Sequence, residues 1–154
     1  MKNRMNKPLM ILILSTLNAS AGMSKLGALS MIESGDNDRA VGAVGEVSRY
    51  QIRPYVWRRY TVSRAYRDPR VAQAVAECHM TYLESLFLQA TGRQPTDFDR
   101  YVLWNGGPTY YSHIGFKATR VCRTIRGRAE RFVNLREMKE ATQTTPLLAV
   151  AGPP

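Results

Sequence analysis

The chain has little with which to hold a metal. Its 154 residues include two histidines, His79 and His113, and two cysteines, Cys78 and Cys122. No Cys-x-x-Cys or His-x-x-x-His spacing occurs, so the clustered thiolate and imidazole ligands of a zinc site are absent. Neither a metal nor a cofactor is expected. The two cysteines leave two readings open. In an oxidising compartment they can pair, provided that their Cα atoms come within about 7 Å. Both also fall in helical patterns, where free cysteine serves as a small core residue. His79, next to Cys78 on the same pattern, reads as packing or surface.

Acidic residues are scarce: 12 against 22 lysines and arginines, for a net charge of +10. A long apolar run is also missing. Pro8 to Leu17 is the main apolar stretch near the start, short of the roughly 20 residues that a membrane-spanning helix needs. It follows Lys2, Arg4 and Lys7 and precedes Ala19-Ser20-Ala21. A basic region, a short apolar core and a small-x-small site make a secretory signal over 1–21, with an uncleaved anchor as the alternative. No cysteine stands directly after the apolar core, so a lipidated start is not supported. The expected location is periplasmic or secreted, associated with the cell envelope. Without 1–21 the chain keeps 19 basic and 12 acidic residues, a net charge of +7. Such a protein is drawn to anionic wall polymers or membrane surfaces. Nucleic acid is the other polyanion, and export argues against it as a specific partner.

The remaining length suits one domain with one core, and its periodicity is helical. Leu26, Leu29 and Ile32 mark a first helix over 24–34, stopped by Gly35 and the Asp36-Asn37-Asp38 cluster. Residues 36–51 are rich in Gly, Ala and Val without a helical period and read as a loop with a short extended piece. Pro54 opens a short helix through Tyr60. Asp68-Pro69 is an N-cap followed by proline at the first position. The helix it starts runs to Gly92 and carries Val71, Val75, Tyr82, Leu83, Leu86 and Leu88. Thr96 and Asp99 resemble a capping box for a helix expected to end at Gly106-Gly107-Pro108. A last helix is expected over 117–140, with six arginines forming a solvated face beside a broken apolar stripe. Thr142 to Pro154 has no period and three prolines, and 141–154 reads as a flexible tail. The fold class is therefore mainly α, a small helical domain with an irregular loop after the first helix.

Glu33 stands where that first helix stops. The carbonyl end of a helix is electronegative and disfavours a nearby carboxylate, so the pKa of Glu33 is expected to rise. An acid that keeps its proton near neutral pH can protonate a leaving group. The competing reading is an ordinary solvated glutamate.

Three separated segments give Glu33 a context: Ile32-Glu33-Ser34-Gly35, the stretch from Gly45-Glu46 to Tyr50-Gln51-Ile52-Arg53-Pro54, and Tyr101-Val102-Leu103-Trp104-Asn105-Gly106-Gly107-Pro108. In order and spacing they resemble the soluble lytic transglycosylase family of the lysozyme-like superfamily. That family has Glu-Ser at a helix end, a Gly-rich loop ending in Gln before an apolar residue and Pro, and an Ala-Tyr-Asn-Ala-Gly-Pro type motif. Ala129 to Leu135 is similar to its closing helix. The likeness spans about residues 24–138. It implies a lysozyme-like catalytic domain over 22–140, acting on peptidoglycan glycan strands as a monomer without a cofactor.

By this resemblance Glu33 is the catalytic acid, and its carboxylate then acts as base while the 6-hydroxyl of N-acetylmuramic acid attacks its own anomeric carbon. A 1,6-anhydro end forms and no water is consumed. Ser34, Tyr50, Gln51, Trp104, Asn105 and Tyr110 are the substrate-binding candidates. Glu46 is the possible second acid, which an inverting hydrolase would place about 6.5–9.5 Å away. Its other reading is a loop carboxylate paired with Arg49 or Arg53. Two rival functions remain: a muramidase that uses water, and an inactive wall-binding module of a secretion or envelope assembly. The sequence departs from the family pattern at Trp104, where a tyrosine is common, with Tyr101, Tyr110 or Tyr111 as substitutes. It also departs at Ser48-Arg49-Tyr50, where Gly-Leu-Met is usual. Trp57 is assigned to the core.

Overall fold

A computed structural model of the chain describes residues 22–138. The signal segment 1–21, the tail 141–154 and the last residues expected of the closing helix lie outside the described residues. Five α-helices follow one another: α1 (Lys25–Ser34), α2 (Pro54–Trp57), α3 (Pro69–Thr91), α4 (Asp97–His113) and α5 (Arg123–Glu137), with a 3₁₀ turn at Ala118–Arg120. Extended structure among the described residues is limited to two isolated bridges, Val41 with Val47 and Val47 with Ile52. The domain is small and all-α. No helix among the described residues is long and apolar enough to cross a membrane.

The helix boundaries follow local chemistry. Ser24 Oγ accepts from the Gly27 amide at the start of α1, and Gly35 closes it in the left-handed region at φ 64°, which favours glycine. Asp68 Oδ1 accepts from the Arg70 and Val71 amides to begin α3. At α4 the Thr96–Asp99 capping box is present in both directions, satisfying two otherwise orphaned donors.

Two boundaries differ from expectation. The α4 segment does not end at Gly106-Gly107-Pro108. Gly107 leaves helical geometry at φ 79°, ψ 162°, and the helix resumes through Pro108 to His113. The glycine that breaks the first half is followed by a proline suited to start the second. The closing helix starts at Arg123 rather than Lys117, because Lys117 to Val121 form a 3₁₀ turn. Arg126 Nη2 holds that turn by donating to the Thr119 and Val121 carbonyls at 2.7 and 3.0 Å.

The core lies where α4 packs between α3 and α5, with α1 against both α5 and α3. The buried stripe of α3 is Ala72, Val75, Ala76, Met80, Leu83 and Phe87, which is helical spacing. Tyr82 and Leu88, expected on that stripe, are exposed: alanines and Phe87 take the inner face and turn those larger side chains outward. Trp57 is fully buried, as assigned, and its indole Nε1 donates to the Ser63 carbonyl at 2.7 Å. At one side of the helices, Glu84 of α3 accepts from Lys25 and from Arg100 at 2.7 and 2.8 Å, and Arg100 also pairs with Asp97. Arg136 of α5 reaches the same Asp97 at 3.4 Å. Cys78 and Cys122 are free and both exposed. They neither pair nor enter the core.

Candidate active site

The loop after α1 is fastened by charge. Arg49 lays its guanidinium on Asp38 through Nε and Nη2 at 2.6 and 2.7 Å and reaches Asp36 through Nη1 at 2.7 Å. Asp36 in turn accepts from Ser30 Oγ at 2.7 Å. Ser34 belongs to this fastening. Its hydroxyl donates to the Arg49 carbonyl at 2.8 Å and accepts from the Asn37 amide at 3.0 Å. It does not line the cleft, contrary to expectation, because the returning loop captures it.

The end of the loop decides which side chains face the cleft. Ser48 and Gln51 both adopt positive φ, 65° and 51°, an uncommon conformation outside glycine. These turns send Tyr50 and Ile52 inward, with 4% and 3% exposure. Tyr50 is thereby a core residue outside the cleft lining, where the sequence had placed a substrate candidate. Gln51 and Glu46 do line the cleft. Gly42 makes room for them: a Cβ there would overlap Glu46 Oε2 and lie 2.5 Å from Gln51 Oε1.

The cleft holds about 820 Å³, enclosed by the loop, α2, α3, the bend of α4 and Arg128 of α5. Glu33 lies in its wall, partly buried, with Oε1 accepting from the Tyr101 hydroxyl at 2.7 Å. Burial pushes its pKa up. The Tyr101 hydrogen bond and the Arg128 charge pull it down, Glu46 pushes it up, and the Asn105 side chain pulls it down, with a net rise. The direction matches expectation, but the largest cause is burial rather than the field of the helix end. Tyr101 is itself completely buried, and burial together with Glu33 keeps its phenol protonated. The hydroxyl that the Trp104 position cannot supply thus comes from three residues earlier, one helical turn away.

The bend in α4 brings Trp104 and Asn105 into the cleft wall. A buried acid spans that bend. Asp99, 3% exposed, accepts from Tyr111 beyond the bend at 2.6 Å, and from Arg93 at 2.7 and 3.1 Å. The Thr96 amide and hydroxyl add two more hydrogen bonds at 2.8 and 2.7 Å. Burial pushes the Asp99 pKa up, but these donors outweigh it and bring it down to about 2. Tyr110 lies outside the cleft lining, which corrects its assignment to substrate. Its hydroxyl accepts from the Cys122 amide at 2.9 Å, and its ring packs under Gly106, where a Cβ would lie 2.5 Å from Cδ1.

Glu46 pairs with Arg53 rather than Arg49, at a loose 3.9 Å, and Oε2 accepts from the Val44 amide at 3.1 Å. It remains in the same cleft as Glu33. Two other residues line the cleft without being site candidates in the sequence: Arg128, expected on a solvated face and indeed exposed, and His79, expected in packing or at the surface and partly buried. Each carried a signal. Arg128 falls at helical spacing with Ile125, Ala129 and Phe132, and His79 with Val75 and Leu83, so both polar groups sit on apolar faces. Among the described residues, no group of three or more His, Cys, Asp and Glu side chains could hold a metal ion.

No family model, curated protein or solved structure matches the chain.

Proposed function

We propose that the protein is an envelope enzyme that cuts peptidoglycan glycan strands. The bond is the β-1,4 link between N-acetylmuramic acid and N-acetylglucosamine, and the product is a 1,6-anhydro end. The observation that carries this reading is Glu33: a partly buried acid in a cleft wall, with a raised pKa and one strong donor, Tyr101, at 2.7 Å. The resemblance of the three motifs supplies the substrate class.

The chemistry uses the carboxyl twice. Protonated Glu33 gives its proton to the bridging oxygen as the bond to the anomeric carbon breaks. The departing chain leaves with a free 4-hydroxyl. The Glu33 carboxylate then takes the proton of the muramic 6-hydroxyl as that oxygen bonds to the anomeric carbon, which restores the acid. Tyr101 and Arg128 suit the intermediate moment, since both favour the ionised form of Glu33. The tethered nucleophile explains how one carboxyl suffices. Gln51 and Asn105, each with amide donors and an acceptor, are the candidates for holding N-acetyl and hydroxyl groups.

One observation favours a second reading. Glu46 lines the same cleft, and its charge contributes to the raised pKa of Glu33. A base in that position could activate water and turn the reaction into hydrolysis. Mass spectrometry of digested sacculi separates the two: an anhydro end is lighter by one water than a reducing end. Unchanged cleavage by Glu33→Gln would sink both.

A further inference from the structure

The wall that α2 and α3 give to the cleft carries groups that the Glu33 chemistry does not use. Arg59, in the turn after α2, lines the cleft with its guanidinium 5.9 Å from the centre of the Tyr55 ring. Tyr55 is 53% exposed and lines the cleft as well. Among the described residues no carboxylate lies within ion-pair distance of Arg59. Arg53, the nearby loop cation, has Glu46 as a loose partner at 3.9 Å. His79 completes the wall. Its Nδ1 and the Tyr60 hydroxyl lie 3.0 Å apart, and its ring meets Trp104 edge-on at 5.2 Å. Burial and the Arg59 charge push the imidazole pKa down to about 4. His79 is therefore a neutral donor and acceptor, and Arg59 is the cation of this wall.

A guanidinium fork is matched to a carboxylate. Aromatic side chains offer an apolar body for a ring to rest on, and Tyr55 presents one beside Arg59. A lone surface arginine is ordinarily only solvated. Arg59, though exposed, lines the cleft with an aromatic ring beneath its guanidinium, and no acid among the described residues neutralises it.

We propose that Arg59, Tyr55 and His79 form a subsite for a carboxylate carried on the glycan, so that the cleft selects acidic over neutral strands. The inference rests on the glycan-cleaving reading for its substrate. The carboxylate has two sources: the lactyl group of a strand stripped of its peptides, and the peptide stem itself, in which the lactyl group is tied up as an amide. Arg59 is here a specificity-determining residue, with no part in the bond-breaking step.

The test measures binding to the full chain carrying Glu33→Gln, so that turnover does not interfere. Three oligomers of equal length are titrated: neutral N-acetylglucosamine units, a strand with free lactyl groups, and a stem-bearing strand. Adding Arg59→Gln is expected to weaken at least one acidic oligomer about tenfold, the loss of one charge-assisted hydrogen bond. The neutral oligomer should bind as before, and Arg59→Lys should recover part of the loss. The acidic oligomer affected identifies the source. Equal weakening of acidic and neutral oligomers, or none, overturns the subsite. Cleavage of sacculi by the wild-type chain is scored separately. Its absence alongside Arg59-dependent binding overturns the enzymatic reading and leaves the subsite standing.

Discussion

Two acids in this molecule each accept a hydrogen bond from a tyrosine of α4, and the two fare oppositely. Asp99 receives Tyr111 at 2.6 Å and Glu33 receives Tyr101 at 2.7 Å. Asp99 is held ionised, with a pKa near the bottom of the carboxylate range at about 2, while that of Glu33 is raised. The difference is the number of donors. Asp99 adds a two-pronged Arg93 and both the amide and the hydroxyl of Thr96. Glu33 has Tyr101 and weaker help from Arg128 and Asn105, against burial and the charge of Glu46. Burial raises a carboxyl pKa unless enough donors answer it. One acid is thus spent on structure, and the other is left able to carry a proton.

The sharpest way to break this comparison is to remove each acid in turn. Glu33→Gln should lower glycan cleavage by about 10²–10⁴-fold, the range of a general acid, with little change in the thermal midpoint. A raised carboxyl pKa gives stability at low pH that fades as pH rises through the folded value, so the neutral amide costs nothing in stability at pH 7. Asp99→Asn should do the reverse and destabilise the fold by about 2–3 kcal/mol in urea titrations at pH 7. Its pH dependence is specific. The lowered pKa contributes stability above about 4 that is lost as pH falls through 3.8 towards about 2. The wild type should lose about 2 kcal/mol over that window, and Asp99→Asn should lack this component.

The pH–rate profile sharpens the comparison further. On the proposed chemistry Glu33 must be protonated to act, so activity should fall as pH rises through its pKa. Tyr101→Phe removes a group that lowers that pKa. Its basic limb should move to higher pH, with a drop of about tenfold at the optimum. Glu46→Gln removes a charge that raises the pKa, so its limb should move to lower pH, with a smaller loss. A Glu46→Gln variant as dead as Glu33→Gln would turn the assignment towards hydrolysis. The smallest effect is expected from reducing agent: Cys78 and Cys122 are free and exposed, and the thermal midpoint should not change.

The helices were legible wherever a capping residue and a period agreed. Asp68-Pro69 to Gly92 and the Thr96–Asp99 box are such cases. The bend at Gly107 was not, because the same three residues that signal a stop also permit a restart. Within the site, Glu33, Gln51, Glu46, Trp104 and Asn105 all reach the cleft. Ser34, Tyr50 and Tyr110 do not, and each misses for a local reason: a loop carbonyl takes Ser34, positive φ at its neighbours buries Tyr50, and a backbone amide claims Tyr110. These depend on how the loop returns to α1 and how α4 meets the turn before α5, which no local pattern encodes. His79 and Arg128 were readable in principle as polar groups on apolar faces.

Digestion of purified sacculi in heavy-oxygen water, followed by mass spectrometry of the new glycan ends, tests the central assignment most directly. A lone Glu33 acting as acid and then base predicts ends lighter by one water, with no heavy oxygen incorporated and at most about a hundredth of that product from Glu33→Gln. Reducing ends carrying heavy oxygen, or undiminished product from Glu33→Gln, would contradict it.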